Sequence, residues 1–178
     1  MAAKTGLTVK DLANLEAPDG VKYELSKGEL ITMGKSKYLH EWVKWRVVEI
    51  LGEYIHRERT GKMAPESLFT LSEDTARQPD VAFISNAKLR PVNDPDELIP
   101  FVPDLAIEIV SQSDSIRDAE TKVREYFAAG VVEVWQVLPE HRAIHVRTKT
   151  AIRELNCDDI IETVLPRFHV KVSEFFSE

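Results

Sequence analysis

Asp104-Leu105-Ala106-Ile107-Glu108-Ile109-Val110-Ser111, followed after a helix-length interval by Gly130-Val131-Val132-Glu133-Val134-Trp135-Gln136-Val137-Leu138, is the passage that decides the fold. The first piece is a short apolar run bounded by polar residues, the pattern of a buried strand. The second is strongly β-branched and predicts another buried strand over 131–138. Between them, Ser113 or Asp114 starts a helix that runs to about Ala129 and is closed by Gly130. A strand–helix–strand unit of this length implies two parallel strands joined by a right-handed crossover.

Working outward, 8–16 reads as a short helix capped by Thr8, and Pro18-Asp19-Gly20 as a turn. Residues 21–25 and 29–33 form a hairpin around Ser26-Lys27-Gly28. The longest helical pattern covers 38–59, where Trp42, Trp45, Val48, Leu51, Gly52 and Ile55 make one apolar face. Strands are expected at 62–71 and 79–85, then a proline-rich loop over 86–103. Beyond the crossover, Pro139-Glu140-His141-Arg142 turns into strands at 143–149, 151–155 and 160–165, and 172–176 makes a terminal helical turn. The order predicts an α/β protein (α+β in some schemes) with a mixed central β-sheet flanked by helices. It is read as a single domain over 1–178, with 1–20 as an N-terminal helical extension.

Composition narrows the classes of function. The 178 residues suffice for one sizeable core. Charged residues interrupt every candidate membrane span, and the opening Met1-Ala2-Ala3-Lys4-Thr5-Gly6 lacks a signal-peptide core. A single cysteine, Cys157, excludes an internal disulfide framework, so a reduced, cytoplasmic location is expected. The net charge of −7 argues against a dedicated DNA-binding face. Lys44, Arg46, His56, Arg57, Arg59 and Lys62 are interleaved with Glu41, Glu49, Glu53 and Glu58, as on a solvated helix face or in a local basic strip.

Glu108 is the most informative residue. A carboxylate inside so apolar a strand costs several kcal/mol unless it is paired or binds a cation. Strand alternation puts Asp104, Ala106, Glu108 and Val110 on one face and Leu105, Ile107, Ile109 and Ser111 on the other. Asp80 opens Pro79-Asp80-Val81-Ala82-Phe83-Ile84. If the two strands are neighbours, Asp80 and Glu108 converge on one hard divalent cation, Mg²⁺ or Mn²⁺. Singly, Asp80 reads equally as a strand-end residue, and Glu108 as half of a salt bridge. Lys122 and Tyr126 lie one turn apart on the 114–129 helix, whose core stripe is expected to be Ile116, Ala119, Val123 and Phe127. Lys122 is placed to reach over the sheet, or else is a surface lysine. Glu24, Glu29 and His40 are further candidates for completing a metal sphere. His56, His141, His145 and His169 show no ligand spacing, Ser111 lacks a nucleophile elbow, and no glycine-rich phosphate loop is present.

Taken in order, Tyr23-Glu24-Leu25 with Gly28-Glu29-Leu30, Pro79-Asp80-Val81, the Asp104–Ser111 passage, Lys122 with Tyr126, Gly130-Val131 through Trp135, and Leu165-Pro166-Arg167-Phe168 to Phe176 make a recognisable series. The chain resembles the Uma-type family of restriction-endonuclease-like proteins, part of the PD-(D/E)XK nuclease superfamily, from about residue 8 onward. The resemblance implies a restriction-endonuclease-like core. It makes Asp80 and Glu108 the metal-binding acids, Lys122 the catalytic lysine and Glu29 an additional acid. The lysine that the superfamily pattern sets two residues after the second acid is replaced by Val110, and Lys122 on the following helix stands in for it.

These readings lead to a Mg²⁺- or Mn²⁺-dependent endonuclease that hydrolyses DNA phosphodiester bonds. Asp80 and Glu108 hold the metal, Lys122 orients or deprotonates water or stabilises phosphate charge, and Tyr126 supports Lys122, with His40 nearby. A homodimer is expected, as cutting two strands requires, and the Trp42–Trp45 face either serves it or is core. The alternative is a catalytically inactive nuclease-fold protein with a binding or regulatory role, which the acidic net charge and Val110 favour. A glycosidase built on the same two acids ranks last, for want of an aromatic sugar platform.

Overall fold

The computed structural model describes residues 5–34, 37–92, 98–111 and 114–177. Its elements run α1 (Val9–Ala13), β1 (Tyr23–Ser26), β2 (Glu29–Thr32), α2 (Tyr38–Glu58), β3 (Gly61–Pro65), β4 (Phe69–Ser72), β5 (Thr75–Arg77), β6 (Val81–Ser85), β7 (Leu105–Ile109), α3 (Ile116–Ala129), β8 (Glu133–Leu138), β9 (Ala143–Arg147) and β10 (Ile152–Leu155), and end in a 3₁₀ turn at Val172–Phe176. They build two sheets. The larger has the order β10-β9-β8-β7-β6-β3 and the smaller β2-β1-β5-β4. β7 and β8 pair in parallel, as the intervening α3 requires, while their other neighbours in the sheet pair antiparallel, so the larger sheet is mixed.

Alternation along the central strands divides the larger sheet into two unlike faces. Leu105, Ile107 and Ile109 join Trp135, Val137, Ile144 and Val146 on one face, covered by Val43, Val47, Ile50, Leu51 and Tyr54 of α2 and by Phe168 and Phe175. Here Tyr54 meets Phe168 edge-on at 5.3 Å and Trp135 meets Phe175 at 6.0 Å, a favoured geometry for aromatic quadrupoles. On the other face Ala106 and Val134 pack against Val123 and Tyr126 of α3. The smaller sheet buries Leu25 and Ala76 against Leu12 of α1. Thr8 caps α1 through a reciprocal bond with Asp11.

Two turns require their residues. Lys27 and Gly28 both have positive φ, 48° and 78°, as a two-residue hairpin turn demands. Gly61 has no substitute: a Cβ there would lie 2.2 Å from the Ile84 carbonyl oxygen.

Several expectations need correction. The buried stripe of α2 is Val43, Val47, Ile50, Leu51 and Tyr54, while Trp45 is 50% exposed, stacked on Trp42 and carrying Arg46 over its ring. The expected strand at 62–71 is two strands in different sheets, separated by Glu66 in a left-handed conformation. The short β5 gave no sequence signal. Ser115 caps α3, while Asp114 instead accepts from the Ser111 amide; Ser113 lies outside the described residues, as do Asn93, Asp94, Pro95 and Asp96 of the proline-rich loop. Ile116 is 83% exposed and is no part of the α3 core. Residues 160–165 form no strand beyond an isolated bridge from Ile160 to Lys171. Among the described residues no helix is long and apolar enough to cross a membrane.

Candidate active site

Register brings the two acids together. Val81 of β6 faces Ile107 of β7 in an antiparallel pair, so the same register carried one residue further sets Asp80 opposite Glu108. The ladder stops there because Pro79 has no N–H to give. The Asp80 carboxylate takes over and accepts the Ile109 amide at 2.7 Å. Both acids line a cleft of about 950 Å³ between the larger sheet, β1 and β2, and the start of α3.

Two donors, Tyr126 and Lys122, converge on Glu108. The Tyr126 hydroxyl donates to Oε1 at 2.6 Å, and Lys122 Nζ lies 3.2 Å from Oε2. On the far side, Lys122 is 3.0 Å from Glu24 Oε1. Although paired, Glu108 is only 13% exposed in its side chain. Burial pushes its carboxyl up to about 7, and the negative charges of Asp80 and Glu24 add to that, against the pull of Lys122 and Tyr126. Burial also works against the Lys122 ammonium, but the charges of Glu108 and Glu24 outweigh it and hold the amine above the usual lysine range. The Tyr126 phenol is raised too, by burial first and by Glu108 and Glu24 after it.

His40, near the start of α2, extends the cluster past Asp80. Its Nε2 lies 3.4 Å from Asp80 Oδ2, and its buried Nδ1 makes no hydrogen bond. Burial disfavours the charged ring, yet the hydrogen bond and charge of Asp80, with Glu41, outweigh burial and raise the imidazole above its ordinary value.

Of the residues expected from the sequence, Asp80, Glu108, Lys122, Tyr126 and His40 therefore meet in one cleft. Glu29 does not join them: it lines the same cleft but stands exposed on β2. Tyr126 bonds Glu108 rather than supporting Lys122, because strand and helix bring its hydroxyl onto the acid. Val110 also lines the cleft, so the position of the missing strand lysine is apolar. Sequence reasoning missed Arg77 altogether and took Glu24 only for a metal ligand. Glu24 is fully buried, and Arg77 donates to it at 2.7 Å from 53 residues away, a pairing no local pattern signals.

Among the described residues, no three His, Cys, Asp or Glu side chains are grouped to hold a metal ion. The donor set suits a different mode, in which Mg²⁺-like ions bind one or two carboxylates and fill the remaining positions with water and substrate phosphate. The charged form of Glu108 is disfavoured by burial and by the charges of Asp80 and Glu24, which a bound cation would relieve.

The chain overlays the crystal structure of a protein from Anabaena variabilis ATCC 29413, described as a "putative nuclease", with a TM-score of 0.83. Identity is 16%, and the overlay covers 96% of this chain and 97% of that one, so the likeness is one of fold. No curated protein matches the chain. The sequence model of the Uma2 family, whose description reads "Putative restriction endonuclease", matches residues 9–172. With nearly its whole length in that match, the chain belongs to the Uma2 family and carries its restriction-endonuclease-like fold.

Proposed function

We propose that the protein is a divalent-metal-dependent endonuclease that hydrolyses DNA phosphodiester bonds. The observation that carries this reading is the placement of Asp80 opposite Glu108 along one cleft, with Lys122 beside them. Asp80 and Glu108 would hold the ion, Mg²⁺ or Mn²⁺. When bound, such an ion neutralises phosphate charge and makes water a better nucleophile. Lys122 stays an ammonium in this setting, so its part is that of a donor and positive charge beside the phosphate, and not of a base. Tyr126 fixes one oxygen of Glu108 and so decides which way the carboxylate presents its other lone pairs. Asp80 is likewise fixed through the Ile109 amide, which ties the two acids into one rigid edge. A homodimer would supply two such edges for the two strands of a duplex, and the half-exposed Trp45 on α2 is a surface that a second copy would cover.

The test is calorimetric Mn²⁺ titration of the wild type and of Asp80→Ala, followed by a plasmid-cleavage screen. Binding to the wild type that vanishes in the variant, with Mn²⁺-dependent cleavage that also vanishes, is the expected result. One observation favours a second reading: Val110 occupies the strand position of the lysine, as in a protein that binds nucleic acid without cutting it. DNA binding with no cleavage under any divalent ion would establish that reading instead.

A further inference from the structure

We propose that Arg77 and Glu125, acting through Glu24, are positioning residues for Lys122, so that a buried ring of charges at the wall of the cleft aims the lysine of the site. This inference rests on the nuclease reading above.

The problem the ring solves is mechanical. A lysine two residues after Glu108 would stand on the same rigid strand, whereas Lys122 reaches in from a helix on a flexible four-carbon stem. Something must hold its ammonium at Glu108. The structure supplies a closed circuit that leaves α3 and returns to it one turn away. Glu125 of α3 accepts Arg77 Nε at 2.6 Å and the Ser26 hydroxyl at 2.6 Å. Arg77 of β5 donates its other arm to Glu24 of β1 at 2.7 Å, and the Gln78 amide donates to Glu24 at 2.9 Å. Glu24 then meets Lys122 at 3.0 Å, opposite the 3.2 Å contact of Lys122 with Glu108. Lys122 and Glu125 are three residues apart on one helix, so the ring fixes both the height and the direction of the lysine.

Packing alone does not account for it. Glu24, Arg77 and Glu125 are all buried. Replacing such an ionic set by apolar residues of the same volume is often neutral or stabilising, so stability is a poor reason to keep it. Each oxygen of Glu24 and of Glu125 has a donor, which makes the geometry single-valued. The ring's direct ion pair with Glu108 runs through Lys122. Arg77 and Glu125 therefore reach Glu108 by where they place that one ammonium.

The experiment uses the full chain with Arg77→Lys and Glu125→Gln, each made in the wild type and on a Lys122→Met background. Two readouts are taken beside the melting temperature. The first is kcat and KM for Mn²⁺-dependent cleavage of duplex DNA. Each variant is expected to lower kcat by about tenfold or more with little change in KM, as misplacement of a catalytic group does. On the Lys122→Met background the same substitutions should cost under about twofold further, because residues acting as a unit are non-additive. The second is the rate of reductive methylation at Lys122, read by mass spectrometry. Lys122, paired on both sides and 16% exposed, should react slowly in the wild type, and each variant should speed its modification several-fold at a temperature where the protein is folded. Equal losses with and without Lys122, or a lowered melting temperature with unchanged Lys122 reactivity, would overturn the proposal and leave the ring a structural staple. If the wild type cleaves nothing, the nuclease reading fails on its own, and the methylation rates still decide whether the ring holds Lys122.

Discussion

Glu108 and Glu133 are both carboxylates inside apolar strands of one sheet, and their surroundings are opposite. Glu133 shares the α2 face with Trp135 and is met by neutral donors, the Trp135 indole at 2.8 Å and the Thr163 hydroxyl. Glu108, on the α3 face of the neighbouring strand, is met by a lysine, a tyrosine and the fields of two further carboxylates. The first environment satisfies a charge. The second sets Glu108 beside two further carboxylates, which together with burial disfavours its charged form and leaves it a use for a cation. A buried acid is thus a weak sign of chemistry by itself, and a buried acid facing other acids is a strong one.

The sharpest way to break this contrast is to remove each acid in turn. Glu108→Gln is expected to lower cleavage by on the order of 10²–10³ or more, the scale of losing a key electrostatic group, while leaving the melting temperature in metal-free buffer unchanged or higher. Glu133→Ala should do the reverse. It leaves two donors unpaired, at roughly 1–3 kcal/mol each. For a chain of this size that is a fall in melting temperature of roughly 4–24 °C, with cleavage by the remaining folded protein intact. Thermal melts and cleavage rates on the two variants, side by side, decide it. A large activity loss in Glu133→Ala at a temperature where it is folded would sink the distinction.

A smaller effect follows from pH. The Glu108 carboxyl, ordinarily at 4.5, is pushed up to about 7, so across that interval the folded protein keeps a proton that the unfolded chain has released. Stability from this group therefore falls as pH rises from 4.5 to 7. His40, also raised, contributes stability that is full below its ordinary 6.5 and is lost above it, which is the same sign. Glu66 does not confuse the window, because Lys22 and Lys44 hold it down to about 2 and its contribution is lost only in stronger acid. Metal-free melting temperature should thus decline across the window, and Glu108→Gln should flatten the decline. Mn²⁺ should raise the melting temperature most at the upper end, where Glu108 is free of its proton. A flat profile in the wild type would remove Glu108 from the set of destabilised acids.

Much of this was legible in the residues, and what was not has a physical reason. The β7-α3-β8 unit could be read because a buried parallel pair and its crossover helix leave long, uniform signals. Strand alternation let Asp80 meet Glu108 on condition that the two strands are neighbours, and the β6–β7 register meets that condition. The face of α2 could not be read, because its tryptophans look like core residues while Trp45 is stacked on the surface under Arg46. The split between β3 and β4 turns on a positive φ at Glu66, a residue with no preference for it. The Glu24–Arg77–Glu125 ring joins residues 48 and 53 positions apart, and a contact of that span has no periodicity to betray it.

The smallest predicted effect tests the other error, on α3. Periodicity made Ile116 and Val123 equals in one apolar stripe, yet Val123 is 1% exposed and Ile116 83%. Ile116 stands one residue after the Ser115 cap, where the helix has only begun and its side chain is exposed among the described residues. Val123→Ala is therefore expected to cost about 2 kcal/mol through the cavity it opens, and Ile116→Ser less than about 0.5 kcal/mol, as for an ordinary surface site. Urea unfolding of both variants at two protein concentrations measures this. If Ile116→Ser proves costly, and more so at the higher concentration, then a side chain free in the single chain is covered by a second copy in solution. The rim of the cleft, where Ser115 and Arg117 flank Ile116, would then be part of a subunit interface.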